Sequence, residues 1–420
     1  MTAPDRSVRA RSVHAATALP LVLLLWSAGL LAAMQFAKIA VPFAEVRVLY
    51  PLGEGRHGWL LSLVSLVGAV LGIVAGSLVG RIGARRMLIG GLVSGGLVSL
   101  WQGTGLGFGS MLASRVVEGA SHLAIVVSAP TLIVSVTPER WRGAAMALWS
   151  TFFGIGFALL ALLAPLLVGA GGPGTLFVAH GASMLLVAVP LSIVLRGMAG
   201  SPLPTAAPTT DRAAATDKRR APASPLHAHA RAYSSPFIAA PAVGWLFYTL
   251  TFVASLAILP DLLPAGTDRA VATAMPLVSI AVSLLAVPML LRWRSATGVV
   301  MLGFALAACV LTAGALALST VGLGLAVVSV SLFAALGLVQ GASFAAVPEL
   351  NTDPASQALA YGAMAQTGNV GNLLGTPLLL ALLPYGGVVT VFAVVITLYV
   401  TAIVAHARLG ARRRQARREL

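Results

Sequence analysis

Runs of about twenty apolar residues recur along almost the whole of this 420-residue chain, and each is long enough to cross a hydrocarbon core of about 30 Å as a helix. Twelve such segments can be marked, the first at 15–36 and the last at 386–406. In lipid every backbone polar group needs an internal partner, and a helix supplies one within its own segment. An all-α polytopic membrane protein is therefore expected. Composition decides one further point: only 9% of the residues are charged, against about a quarter in soluble domains, too few to solvate a globule of this size.

The formal charge of +15 raises nucleic acid as a partner, but its distribution removes it. Numbered through the twelve segments, nearly all of the 27 basic residues fall on the side that carries both termini. Lys38, Arg47, Arg56 and Arg269 fall on the other side, and Arg115 lies inside a segment. Basic loops stay cytoplasmic, so the reading is a multi-pass protein of the plasma membrane with both ends in the cytoplasm and anionic lipid headgroups as neighbours. The first run is too long for a cleaved leader and is read as a retained helix.

Polar interruptions divide the chain into a basic tail (1–14), a first six-helix bundle (15–196), a flexible linker without helical periodicity (197–234), a second six-helix bundle (235–406) and a second basic tail (407–420). A short repeat supports two related halves. Val117-Glu118-Gly119-Ala120-Ser121-His122 returns as Val339-Gln340-Gly341-Ala342-Ser343-Phe344, 222 residues later, an offset of half the chain rather than a solenoid period.

Charge inside an apolar segment needs a partner, because on insertion scales it costs about 2.5–3.5 kcal/mol at the bilayer centre. Arg115, Glu118 and His122 fall on one stripe of the helix at 109–136. They are candidates either for an internal ion pair that orients helices or for a proton and solute pathway. Trp245, Tyr248, Gln340, Gln366, Asn369 and Asn372 are the corresponding candidates in the second half, for helix-to-helix hydrogen bonding or for lining a cavity. His57 and His180 are expected near the headgroups. Segment 57–79 carries Gly68, Gly72, Gly76 and Gly80, a smooth strip that lets a neighbouring helix approach closely.

That strip runs into Gly76-Ser77-Leu78-Val79-Gly80-Arg81-Ile82-Gly83-Ala84-Arg85-Arg86. This resembles the G-x-L-a-D-r-x-G-r-k loop between helices 2 and 3 of the major facilitator superfamily, with Gly80 in place of the usual Asp. Arg115 with Glu118 and Gly119 resembles the family's second motif, Glu118 replacing a Gln. The resemblance implies twelve helices in two pseudo-symmetric halves. It also implies a cytoplasmic gate drawing on Gly76, Arg81, Gly83, Arg85, Glu139, Arg140 and Arg142. The Gly-Pro signature of antiporters is absent from segment 144–169, so symport and antiport both stand.

The functional expectation is secondary active transport of a small solute by alternating access, coupled to protons through Glu118 and His122, in a monomer. Scarce buried charge favours efflux or a neutral solute. The alternatives are uptake of a small organic or inorganic anion at Arg115 and a non-transporting sensor of the same fold. No phosphate-binding loop, nucleophile elbow or paired metal-ligand motif is present in the sequence, so no enzyme activity, cofactor or metal is expected.

Overall fold

The computed structural model describes residues 6–51, 54–75, 79, 82–197, 225–317, 321–352 and 354–418. The described chain is helical throughout. It runs α1 (Arg6–Ala40), α2 (Phe43–Leu49), α3 (Glu54–Ser62), α4 (Leu66–Leu71), α5 (Ala84–Gln102), α6 (Phe108–Val136), α7 (Glu139–Ser150), α8 (Phe152–Gly197) and α9 (Pro225–Ser234). It continues through α10 (Ala239–Asp261), α11 (Thr267–Leu290), α12 (Ala296–Leu316), α13 (Gly322–Leu350), α14 (Pro354–Leu382) and α15 (Gly387–Ala416).

Nine helical stretches among the described residues are long and apolar enough to cross a membrane. The 46-residue α8 accounts for two of the expected segments, because Gly171 and Gly172 leave helical geometry, Gly172 at φ 75°. On either side of that break, Gly156 packs against Leu30 and His180 contacts Leu31, so α8 folds back on itself along α1. The remaining two segments are α5, whose first turn carries Arg85 and Arg86, and α14, which carries the amides Gln366, Asn369 and Asn372. Their polar content lowers hydropathy without breaking the helix.

Packing sorts the helices into two groups. α1, α5, α6 and α8 contact one another, as do α10, α12, α13, α14 and α15, and α11 joins the second group through α13. The groups meet where α14 lies along α3 and α4 and where α11 meets α8. The glycine strip works at this seam. A side chain at Gly68 would overlap the Asn369 amide, and a Cβ at Gly72 would sit 2.7 Å from the Gln366 backbone. The strip is not one regular helix: 3₁₀ turns at Leu63–Ser65 and Gly72–Val74 interrupt it. Such turns inside a helix are common at hinges.

Two sequence expectations need correction. α1 does not end near Phe36 but continues to Ala40, which draws Lys38 from the polar loop into the protein interior, fully buried. His180 and His57 are buried as well, and His57 donates from Nε2 to the Tyr50 carbonyl at 2.6 Å. The segment expected to be a linker without helical structure forms α9 over Pro225–Ser234, its proline well placed in a first turn. Residues 198–224 of that segment lie outside the described residues.

Candidate functional site

Arg115, Glu118 and His122 lie on α6, as their spacing predicts, and all three are buried. Each nitrogen of Arg115 has a partner. Its Nε donates to the Leu60 carbonyl at 2.8 Å, Nη2 donates to the Gln35 carbonyl at 2.7 Å, and Nη1 pairs with Glu118 Oε2. Gly119, one turn from Arg115, leaves no room for a Cβ against the Val64 carbonyl, which is why α6 can approach the start of the glycine strip so closely. His122 does not join Glu118. Its Nδ1 donates to the Ala32 carbonyl at 3.1 Å, and its ring lies 5.1 Å from Phe36.

The residue missed by sequence reasoning is Lys38. Its Nζ lies 2.6 Å from Glu118 Oε1. Both groups are fully buried, so the contact is a buried ion pair. Lys38 also donates to Ser99 Oγ at 2.7 Å and Gln102 Oε1 at 2.6 Å, both on α5. Gln102 in turn donates from Nε2 to Ser114 Oγ at 2.9 Å and Glu118 Oε2 at 3.0 Å. Ser99 lies 3.0 Å from His180 Nδ1, and His180 Nε2 donates to the Leu31 carbonyl. One polar network thus fastens α1, α5, α6 and α8 to each other. A signal existed in the sequence, because Ile39, Ala40 and Val41 carry the apolar run beyond Lys38.

In the second group, Gln340 Oε1 accepts from Tyr248 Oη at 3.2 Å and from Ser279 Oγ at 3.1 Å. Trp245 stacks on Tyr248 at 4.7 Å. From there aromatic contacts run across the boundary: Tyr248 to Phe252 (4.8 Å), Phe252 to Phe153 (6.4 Å), Phe153 to Phe36 (5.7 Å) and Phe36 to His122. Trp245 and Tyr248 of the second half are therefore joined to His122 of the first by one chain of rings. A cavity of about 460 Å³ does lie between the groups, beside Phe43, Ile258 and Leu380 and the Arg47–Asp261 ion pair, and it contains none of the predicted residues.

Gln366 belongs to the seam. Its Oε1 accepts from Tyr233 Oη at 2.8 Å, and its Nε2 donates to the Ala69 carbonyl at 3.0 Å and His229 Nε2 at 2.9 Å. One amide thus ties α14, α4 and α9 together. Burial pushes the Tyr233 phenol up, so it remains a donor at neutral pH. We expect Gln366→Leu to destabilise the purified protein by about 1–2 kcal/mol, since it removes three hydrogen bonds at once, and Tyr233→Phe by about 0.5–1.5 kcal/mol. Thermal unfolding of the two variants checks both, and equal, negligible shifts would contradict the clasp. Asn369 bonds only back to the Ala365 carbonyl at 2.8 Å, and Asn372 Oδ1 is buried without a partner among the described residues.

Of the expected gate, Gly83 has φ 89° and precedes α5, a backbone conformation that favours glycine. Arg85 begins that helix, half-buried. Gly76 and Arg81 lie outside the described residues, as do the side chains of Glu139, Arg140 and Arg142, whose backbone opens α7.

A family model for the Major Facilitator Superfamily matches residues 25–375, which takes in both groups of helices and the seam. The chain belongs to that superfamily. It is similar to the uncharacterized MFS-type transporter Rv1250 of Mycobacterium tuberculosis, 31% identical over 132 residues, covering 31% of this chain and 22% of the relative. It is also similar to the 3-(3-hydroxy-phenyl)propionate transporter of Escherichia coli K12, 30% identical over 135 residues, covering 31% of this chain and 32% of the relative. The matched stretches span at most about a third of the length of these relatives. As a superfamily member with these apolar helices, the chain is a multi-pass membrane protein.

Proposed function

We propose that this protein is a monomeric secondary active transporter of the plasma membrane, with both termini cytoplasmic, that moves a small solute by alternating access and couples that movement to protons. The observation that carries the reading is the contrast between bundle and boundary. The Lys38–Glu118–Arg115 network makes α1, α5, α6 and α8 one rigid body. The boundary with the second group is a glycine-smoothed seam and a chain of rings, with the partly exposed Arg47–Asp261 pair the one ion pair across it among the described residues. Rigid groups rocking about a soft boundary are what alternating access requires.

The lean to efflux or a neutral solute rested on scarce buried charge and on a second half without an intramembrane Arg or Lys. Lys38 adds a buried cation beside Arg115 in the first half, and this favours the other reading, uptake of a small organic anion. The solute in the name of the E. coli relative is a propionate, which supports the same choice.

A proteoliposome screen tests both. Wild type and Glu118→Gln are assayed with an imposed pH gradient against benzoate, 3-phenylpropionate, glucose, alanine and tetraphenylphosphonium. Gradient-driven accumulation of a carboxylate is expected, lost in the variant. Accumulation of a cation or sugar instead would remove the anion reading, and flux indifferent to the gradient would remove proton coupling. Binding without any flux would make the chain a sensor.

A further inference from the structure

The charges of the Lys38 cluster do not balance. Lys38, Arg115 and Glu118 are each 0% exposed, and two cations face one carboxylate. Other titratable groups near Lys38 are His122 on α6 and His180 on α8. Each donates one ring nitrogen to a backbone carbonyl, Ala32 and Leu31 respectively, a bond that a neutral ring makes. From α5 only Ser99 and Gln102 reach the ammonium, and neither carries charge. On α2 and α10, Arg47 and Asp261 pair with each other. Among the described residues the interior of the first group therefore holds one positive charge in excess.

A proton can enter or leave this cluster in two ways. Protonating Glu118 would leave two buried cations with no anion, and breaking a buried pair in this way costs about 3–5 kcal/mol. Removing a proton from Lys38 leaves Arg115 with Glu118, one charge against one. The other hydrogen bonds survive the second way. A neutral amine keeps two N–H groups for Ser99 and Gln102, while Glu118 Oε2 keeps Arg115 Nη1 and Gln102 Nε2. The contact given up is the Nζ–Oε1 ion pair.

We propose that Lys38, rather than Glu118, takes up and releases the coupled proton. The step breaks one Nζ–H bond, leaves the electron pair on nitrogen and passes the proton to water on the side to which the carrier is open; the reverse occurs on the other side. This rests on the proton-coupled reading above. Glu118 is then a positioning residue that holds Arg115 and attracts the ammonium form of Lys38.

The sequence allows a direct test, because the chain contains just two lysines, Lys38 and Lys218. Full-length protein labelled with ¹³C at lysine Cε gives two signals, and Lys218→Arg in the linker identifies that of Lys38. The Lys38 signal is expected to move from the ammonium to the amine position as pH rises, with no protonated-carboxyl infrared band assignable to Glu118 as pH falls. A Lys38 that stays charged over the whole range in which the protein is folded would overturn the proposal, as would a Glu118 carboxyl band while Lys38 remains an ammonium. In liposomes, Lys38→Arg, which keeps the charge permanently, should abolish gradient drive for the solute in the panel that moves. If wild-type flux ignores the gradient while Lys38 still titrates, coupling fails and the protonation assignment stands; gradient drive intact in Lys38→Arg sinks the proposal alone.

Discussion

Replacing Glu118 with Gln should destabilise the protein by about 3–5 kcal/mol, the largest effect expected of any near-isosteric change in the chain. Gln keeps the shape and a contact to Gln102, but it removes the only carboxylate among the described residues in reach of Lys38 and Arg115, both fully buried. Lys38→Met should be milder. It forfeits the bonds to Ser99 and Gln102 yet leaves the Arg115–Glu118 pair charge-balanced. Thermal unfolding of the two purified variants makes the comparison, and the order matters more than either value. If Lys38→Met were the more damaging of the two, the excess charge described above would have to be compensated by something else.

The second large effect is expected at the seam. In Gly72→Val a branched side chain meets the Gln366 backbone, where even a lone Cβ comes to 2.7 Å, and overpacking of this kind typically costs about 1–3 kcal/mol. Within one bundle the neighbours would have to distort. Between two bundles the strain is relieved when they part, so the substitution should shift the population toward a state with the α4–α14 contact open. A shift of about 1.4 kcal/mol is tenfold in population. In a Cys309→Ser background, a cysteine at Ala69 should then react about tenfold faster with a polar thiol reagent, and solute flux should fall by a similar factor. Unchanged labelling together with full flux would mean that this contact does not move during transport.

The fold was legible because lipid leaves few choices. Segment length and apolarity alone gave the helices, including both arms of α8, where Gly171, Gly172 and Pro173 marked the reversal. The glycine strip was legible as a packing surface, but its partner was not: that Gly68 meets Asn369 and Gly72 meets Gln366 depends on contacts some 300 residues apart, and no short spacing encodes them. The pairing of Arg115 with Glu118 followed from helical periodicity. Lys38 was missed because a lysine near the end of an apolar run reads as a boundary, and only the carboxylate on another helix makes its burial tolerable. His180 was missed for the same reason, its partners being Leu31 and Ser99 on neighbouring helices. α9 escaped notice because it is short and polar in composition, and the contacts of His229 and Tyr233 with Gln366 join residues more than a hundred positions apart.

The unpaired charge of the first bundle also couples the molecule to the electrical state of the cell. A charge moved through the whole membrane field exchanges about 2.3 kcal/mol per 100 mV. In the proposed alternating-access motion, any tilt of the body that carries Lys38, Arg115 and Glu118 moves their net charge some fraction of the way across. Voltage then weighs the two facing states against each other even for an uncharged solute. In the amine form of Lys38 the bundle becomes electrically silent at this position, and return of the empty carrier should be nearly independent of potential.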